Sequence, residues 1–392
     1  MQQQQPQSGP PTVLHVAQPV DGGVARVVTD LVRAQTRSGL RTLVACPPGA
    51  GLSAAAVREG ATVLPWTAGR EPGTRLPRET AEIARIVART SPDVVHAHSA
   101  KAGLAVRLAL RGRLPTVYQP HAWSFEAATG PTAVLAKAWE RHAARWAARV
   151  LCVSEDERRR GQRAGVRARW AVVRNGVDTA RFAPPGPDAV LRAREQLLDR
   201  SAPDGPVVVC VGRLCRQKGQ DVLLRAWSAV GDRIPGARLV LVGDGPAGED
   251  LRAAADRRVL FAGAVTDPAP WYAVADVVVL PSRWEGMALA PLEAMACGRP
   301  VVLTDVGGAR ESLPPGHHAD CVVPEEDPEA LARAVVRLLT DRELSEALGQ
   351  QARDHVRATA DVSVTAAAVR DLYRELTASP HRGADREELI RR

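Results

Sequence analysis

Residues 277–303 read VVVLPSRWEGMALAPLEAMACGRPVVL. An apolar run, Val277–Leu280, leads through a loop into a stretch with helical spacing, expected over Leu292–Cys297, and then into a second apolar run, Val301–Leu303. Runs that are apolar on both faces and joined by helices specify parallel strands covered on both sides. The same alternation extends outward in both directions. Upstream lie Val207–Val211, Leu239–Val242 and Val259–Phe261, with a helical pattern over Asp221–Ile234; downstream lies Cys321–Val323. The first half repeats the scheme with Thr12–Ala17, Thr42–Cys46, Thr62–Leu64, Val94–His96, Thr116–Tyr118 and Val150–Val153, and with helical spacing over Val24–Ser38 and Glu79–Thr90.

The expectation is therefore an α/β chain of two doubly wound, Rossmann-like domains with ligands at the carboxyl ends of the strands. The seam is placed at Asn175–Pro187, where Asn-Gly and Pro-Pro-Gly-Pro interrupt any periodic element. This gives a lead-in over 1–11, a first domain over 12–183, a second over 184–362, a helix over 363–378 and a charged tail over 379–392. Trp139 and Trp146, seven apart, are expected on one face of a helix and in the core.

With 392 residues and 45% hydrophobic content, the chain suits two globular domains and excludes a disordered or fibrous class. No run approaches the ~18 apolar residues that span a bilayer. The Gln/Pro-rich opening lacks the charged and apolar regions of a signal peptide. A cytoplasmic protein is expected, at most peripheral at the inner membrane face. The six cysteines form no C-x-x-C pair and read as buried thiols, not as a metal or disulfide framework. The net charge of +8 raises nucleic acid as a partner, but the cations are scattered, without an aromatic-basic pattern, so none is expected. Lys101, Lys137 and Lys218 are the only lysines among 52 cations, which draws attention to sites where a compact ammonium is not replaced by Arg. Lys101–Arg113 alternates cations with apolar residues and is the expected route to a membrane surface.

Three passages carry chemistry. Asp21-Gly22-Gly23 follows the first strand and precedes a helix, where free N–H groups suit a phosphate, although a plain tight turn reads the same way. In Gly212-Arg213-Leu214-Cys215-Arg216-Gln217-Lys218-Gly219, two cations straddle a loop before a helix and suit a diphosphate. In the opening passage, Glu285 ends a strand–loop segment and Glu293 enters the helix. Carboxylates so placed accept paired hydroxyl hydrogen bonds, as sugars and ribose require. His121 follows the strand Thr116–Tyr118, at a carboxyl end; His96 and His98 read as structural.

The chain resembles the family 4 retaining glycosyltransferases, which have the GT-B fold of two facing Rossmann-like domains with a cleft between them. The resemblance runs from Val13 to about Tyr373. It rests on Asp21-Gly22-Gly23, Val95-His96-Ala97-His98-Ser99, Pro120-His121, Asn175-Gly176-Val177-Asp178, the Gly212–Gly219 loop, Leu241-Val242-Gly243-Asp244-Gly245-Pro246, the Glu285–Glu293 pair and Gly307-Gly308-Ala309-Arg310-Glu311. It implies a donor site in which Arg213 and Lys218 hold the diphosphate, Glu285 the donor-sugar hydroxyls and Glu293 the ribose. Backbone N–H groups near Leu289 and Ala290 would meet the distal phosphate, as would Gly23, beside Gly22, from the other domain. Gly243, Asp244, Gly286 and Met287 complete the implied nucleotide-sugar residues. His121 matches the histidine beside the transferred sugar, and with Arg213, Lys218 and Glu285 makes up the implied catalytic set. The terminal helix would brace the first domain. The resemblance implies neither a metal nor a cofactor, and the chain contains no Asp-x-Asp.

The implied function is transfer of a hexose or N-acetylhexosamine from a nucleoside diphosphate sugar, UDP favoured, to a hydroxyl acceptor. Surface polysaccharides, glycolipids and secondary metabolites are the expected products. An inositol-phosphate-type glycosyltransferase and a non-catalytic membrane- or nucleotide-binding module are the alternatives. A dinucleotide oxidoreductase is disfavoured because Gly-x-Gly-x-x-Gly follows neither first strand. The chain departs from the family pattern at Met287-Ala288, where Phe-Gly is frequent, at Ala122-Trp123 after His121, where Gly is frequent, and at Arg174, where Pro is common.

Overall fold

The computed structural model describes residues 10–49, 51–69, 73–198 and 205–378. The expected lead-in is described only at Pro10 and Pro11, and the expected tail over 379–392 lies outside the described residues. The chain forms two compact units: one runs to Val173 and resumes at Ala366, and the other is Arg174–Thr365. The boundary thus falls ten residues before the one expected from sequence. Residues 174–183 are held in the second unit: Val177 N–H donates to Ala360 O, Asn175 Nδ2 donates to Met287 O, and Thr179 Oγ1 donates to Asp361.

In the first unit the chain runs β1 (Thr12–Ala17), α1 (Gly22–Arg37), β2 (Arg41–Cys46), α2 (Leu52–Arg58), β3 (Thr62–Pro65), α3 (Leu76–Thr90), β4 (Val94–His98), α4 (Ser99–Leu110), β5 (Thr116–Gln119), α5 (Ser124–Ala127), α6 (Gly130–Ala143), β6 (Arg149–Cys152), α7 (Glu155–Arg163) and β7 (Trp170–Val172). Its sheet has the order β3-β2-β1-β4-β5-β6-β7, and every pairing is parallel. The seventh strand escapes the sequence reading because Trp170-Ala171-Val172 is three residues long and only half-buried.

The second unit runs α8 (Pro187–Leu197), β8 (Val207–Val211), α9 (Gln220–Arg233), β9 (Arg238–Val242), α10 (Gly248–Ala254), β10 (Val259–Gly263), α11 (Ala269–Val274), β11 (Val277–Leu280), α12 (Leu289–Ala296), β12 (Val301–Thr304), α13 (Ala309–Ser312), α14 (His318–Cys321), β13 (Val322–Val323), α15 (Pro328–Thr340) and α16 (Arg342–Thr359). A last helix, α17 (Val362–Ala378), begins there and passes into the first unit at Ala366. The second sheet has the order β10-β9-β8-β11-β12-β13, also parallel throughout. In both sheets the strand order reverses once, between β1 and β4 and between β8 and β11. Such switch points leave a crevice beyond the strand ends.

The strands hold together as their composition dictates. Leu14, Val16, Leu43, Ala45, Val95 and Ala97 pack under α3 and α4 through Ile83, Val87, Ala102 and Val106. Each such large side chain contributes about 1.5–3 kcal/mol on burial. Lys101 and Arg107 on α4 do not form the exposed basic face expected from sequence. Lys101 Nζ lies 2.5 Å from Glu79, and Arg107 lies 2.8 Å from Glu140 and 3.8 Å above the Tyr118 ring, all of them buried. Those two cations are closed to a membrane, whereas Arg111 and Arg113 at the end of the expected segment are exposed. Trp139 and Trp146 also differ from expectation. The helix ends at Ala143, Trp146 sits on a short 3₁₀ turn, and both rings are half-buried, 6.0 Å apart.

Removing one member of a buried ion pair strands the other charge without water. Glu140→Ala should therefore destabilise the first unit by about 3–5 kcal/mol, read as a lower urea midpoint. The double change Arg107→Met with Glu140→Leu should cost much less.

Candidate nucleotide-sugar site

Because β8 and β11 are neighbours, the loops leaving their carboxyl ends meet. The first carries Gly212–Gly219 and the second Pro281–Ala288. Gly219 makes the approach feasible: its φ is +65°, and a Cβ there would lie 1.9 Å from Pro281 O. Arg283 N–H donates to Gln217 O at 2.8 Å and Gln217 Nε2 donates to Trp284 O at 3.0 Å, so the loops are stitched along their length. The β9 loop closes the other flank. Gly243 and Gly245 have positive φ, and a Cβ on either would lie within 2.3 Å of Gly212 O or Leu214 O. Only glycine permits that packing.

Lys218 and Glu285 meet at the centre of this cluster, with Nζ 2.6 Å from Oε1. Ser282 Oγ donates to the same oxygen at 2.8 Å. Glu285 is 8% exposed. Its backbone is fixed by Gly307, whose φ of +52° and missing side chain let the chain pass against Glu285 O, and by Gly308 N–H, which donates to Gly286 O at 2.8 Å. Arg213 is exposed, and its side chain has no hydrogen-bond partner among the described residues; its backbone oxygen accepts from Gln220 Nε2. Of the three cations on this loop, Lys218 is fixed on Glu285, Arg216 lies over the Trp284 ring and Arg213 is uncommitted.

The helix α12 begins at Leu289, three residues earlier than its apolar spacing indicates. Its first N–H groups, at Leu289 and Ala290, have no partner within the helix. Glu293 is its fifth residue, 6% exposed, and its Oε2 accepts from Tyr272 Oη at 2.8 Å. Met287 is buried and its carbonyl accepts from Asn175. Gly243 serves backbone packing, and the exposed Asp244 accepts from Gly245 N–H within its own turn. The structure therefore brings Lys218 and Glu285 into contact and places Arg213, Gly286, Met287, Leu289, Ala290 and Glu293 on the two loops and the helix that follows. Gly243 and Asp244 lie on the β9 loop, and among the described residues Asp244 makes no hydrogen bond or ion pair to either member of that pair. Tyr272, Ser282 and Asn175 were not singled out as site residues. Ser282 could have been, three residues before Glu285; nothing local marks Tyr272, twenty-one residues from its partner.

In the first unit, Gly22 opens α1 with φ +78°, and Gly22 and Gly23 both border open space. His121 lies just beyond β5. His98 Nδ1 is 3.1 Å from His121 Nε2, and burial pushes the His121 ring down to about 3. His121 (φ +60°) and Ala122 (φ +148°) are consecutive residues in a region disfavoured for side chains. Glycine adopts such φ values without strain, so Ala122 is a costly residue at this position. A cavity of about 510 Å³ elsewhere in this unit, lined by Arg145, Arg149, Arg167 and Arg169, borders the amino ends of β6 and β7, away from the strand ends that carry these residues.

Fold and site together define a chain of two Rossmann-like α/β domains, the GT-B class, with a cationic, amide-rich notch at the second switch point. A family model described as Glycosyltransferase Family 4 matches residues 21–181, and one described as Glycosyl transferases group 1 matches residues 205–341. The chain belongs to this glycosyltransferase family. It is 38% identical over 214 residues to the GDP-mannose-dependent alpha-(1-6)-phosphatidylinositol monomannoside mannosyltransferase of Mycobacterium tuberculosis, covering 51% of this chain and 54% of that protein. It is 37% identical over 200 residues to the D-inositol 3-phosphate glycosyltransferase of Jonesia denitrificans, covering 47% and 46%. The chain spans about half the length of these curated relatives. Among solved structures, Anabaena Alr3699/HepE in complex with UDP and glucose shares the fold, with TM-score 0.81, 22% identity and coverage of 93% of this chain and 99% of that one.

Gly307→Ala should displace Glu285, lowering stability by about 2 kcal/mol or more and weakening nucleotide-sugar binding in a thermal-shift titration. Ala122→Gly should act oppositely on the first unit, raising stability by about 1 kcal/mol as the strained φ is relieved. Chemical denaturation checks both.

Proposed function

We propose that this protein is a metal-independent, retaining glycosyltransferase that moves a hexosyl or N-acetylhexosaminyl group from a nucleoside diphosphate sugar to a hydroxyl acceptor. The observation that carries this reading is the Lys218–Glu285 contact at the β8/β11 switch point, flanked by the uncommitted Arg213 and the start of α12. In the resting site Lys218 and Glu285 neutralise each other. A diphosphate entering the notch would offer Lys218 a stronger partner, freeing Glu285 to accept sugar hydroxyls. As the glycosidic bond breaks, charge grows on the leaving diphosphate. Arg213, Lys218 and the free N–H groups of Leu289 and Ala290 would meet that charge without reorganising. Glu293, already oriented by Tyr272, suits the ribose hydroxyls. By the resemblance, Gly22 and Gly23 are proposed for the distal phosphate and His121 for the sugar. The leaving phosphate itself would take the acceptor proton on the same face, which retains configuration.

The sequence expectation favours UDP, whereas relatives at 38–40% identity are named as GDP-mannose-dependent, so the base of the donor is a matter for direct binding. The inositol-phosphate alternative draws support from the relative named for D-inositol 3-phosphate. Among the described residues no helix is long and apolar enough to cross a membrane. Peripheral attachment at the inner membrane face, where a lipid-linked acceptor would be met, belongs to this proposal and would be tested by lipid sedimentation with and without salt.

A thermal-shift panel of UDP- and GDP-sugars should show stabilisation by one nucleotide class, since a ligand that binds only the native state raises its stability. With the selected donor, Lys218→Ala should lower kcat/KM by about 10²-fold or more while leaving the melting temperature within a few degrees. Near-normal turnover in that variant would remove the assignment.

A further inference from the structure

The switch point of the first sheet holds more imidazole than the proposed transfer uses. Gln35 Oε1 stands 2.8 Å from His15 Nε2, His15 Nδ1 stands 3.0 Å from His98 Nε2, and His98 Nδ1 stands 3.1 Å from His121 Nε2. These contacts form an unbroken chain of three hydrogen bonds from a buried amide to the histidine at the end of β5. Pairing of β1 with β4, Ala17 opposite His98 and His15 opposite His96, builds it. Burial holds His15 down to about 4, His121 to about 3 and His98 well below the ordinary range. The three rings are therefore neutral at pH 7, and each has one N–H and one lone pair.

In such a chain the direction of one bond fixes all the others. Gln35 turns its Oε1, not its amide nitrogen, toward His15 Nε2. Nearby, Tyr373 Oη lies 2.6 Å from His96 Nδ1. A carbonyl oxygen can only accept, so His15 carries its hydrogen on Nε2 and accepts at Nδ1. His98 then donates from Nε2 and accepts at Nδ1, and His121 donates from Nε2. His121 is left with a lone pair on Nδ1, an atom that makes no hydrogen bond among the described residues.

We propose that Gln35, acting through His15 and His98, holds His121 in its Nε2–H tautomer and so presents Nδ1 as an acceptor for a sugar hydroxyl. Gln35, His15 and His98 are then positioning residues. The choice of hydroxyl as ligand rests on the function proposed above; the tautomer does not. A lone pair at this position accepts from a hydroxyl and repels a carboxylate, so the fitting sugar is neutral there and a uronic acid is disfavoured. Nitrogen atoms of His15, His96 and His98 also lie within 4.8 Å of one another, as metal ligands can. Both nitrogens of His15 and of His98 are already engaged in the chain, so a metal would have to break it.

The test is long-range ¹H–¹⁵N spectroscopy of the full chain with its nine histidines labelled, His121 being assigned by substitution. In the wild type, His15, His98 and His121 should each show a protonated Nε2 and an unprotonated Nδ1, unchanged by added zinc. In Gln35→Leu the order should be lost, giving His121 as a mixture of tautomers. With UDP-glucose or GDP-mannose, whichever is turned over, kcat should fall about tenfold, the worth of one oriented hydrogen bond, while KM for the donor stays within about twofold. A wild-type His121 found as Nδ1–H or charged overturns the proposal, and this reading needs no variant to fold. Stoichiometric zinc binding that shifts the three rings overturns it in favour of a metal site. An unchanged His121 spectrum in Gln35→Leu removes Gln35 as the cause. An ordered chain in a protein that turns over no nucleotide sugar removes the function and the hydroxyl assignment but keeps the tautomer.

Discussion

A lysine and a glutamate at 2.6 Å sit where the second sheet reverses its strand order, and much of that unit exists to keep them there. Lys218 ends a short 3₁₀ turn and Glu285 lies in a loop. Both depend on loops that can lie against each other only because Gly219, Gly243, Gly245 and Gly307 lack side chains. The loops in turn start from β8, β9, β11 and β12, whose apolar residues are almost wholly buried. A neutral pair is an economical resting state for such a notch. An isolated cation or carboxylate at this depth would be poorly solvated, whereas the pair needs only Ser282 beside it. The approach of an anion then redistributes contacts that already exist.

The first unit solves a related problem with neutral groups. Four imidazoles, an amide and a phenol meet near the ends of β1 and β4, joined by four hydrogen bonds. Elsewhere in the unit, buried charge is paired between helices, as Lys101 is with Glu79 and Arg107 with Glu140. The two units of one chain thus place different chemistry at corresponding switch points: ionic and amide-rich in the second, uncharged and directional in the first.

The fold was largely legible in the sequence because buried parallel strands are short, β-branched and apolar on both faces, and twelve of them stand out in that way. The thirteenth, Trp170–Val172, is a half-buried edge and carries no such mark. The site was legible where chemistry and glycine lie close together, as in Gly212–Gly219 and Pro281–Gly298. It was not legible where a partner comes from a distant element. Tyr272 reaches Glu293 from α11, and Gln35 reaches His15 from α1, through packing that no local pattern records. The cations of α4 misled for the converse reason. Alternation of cations with apolar residues describes an interfacial helix and a doubly buried one equally well, and for Lys101 and Arg107 it is Glu79, 22 residues away, and Glu140, 33 residues away, that decide between them.

The passage of α17 between the units has a practical meaning for anyone recombining such enzymes. Val369, Leu372, Tyr373 and Leu376 are buried, and Tyr373 completes the histidine cluster of a unit whose other residues end at Val173. The first unit is therefore discontinuous in the sequence. A chimera joined at a single crossover would inherit the closing segment from the wrong parent, with a foreign residue against His96. Grafts between members of this family should exchange the terminal helix together with the first half, as a two-piece cassette.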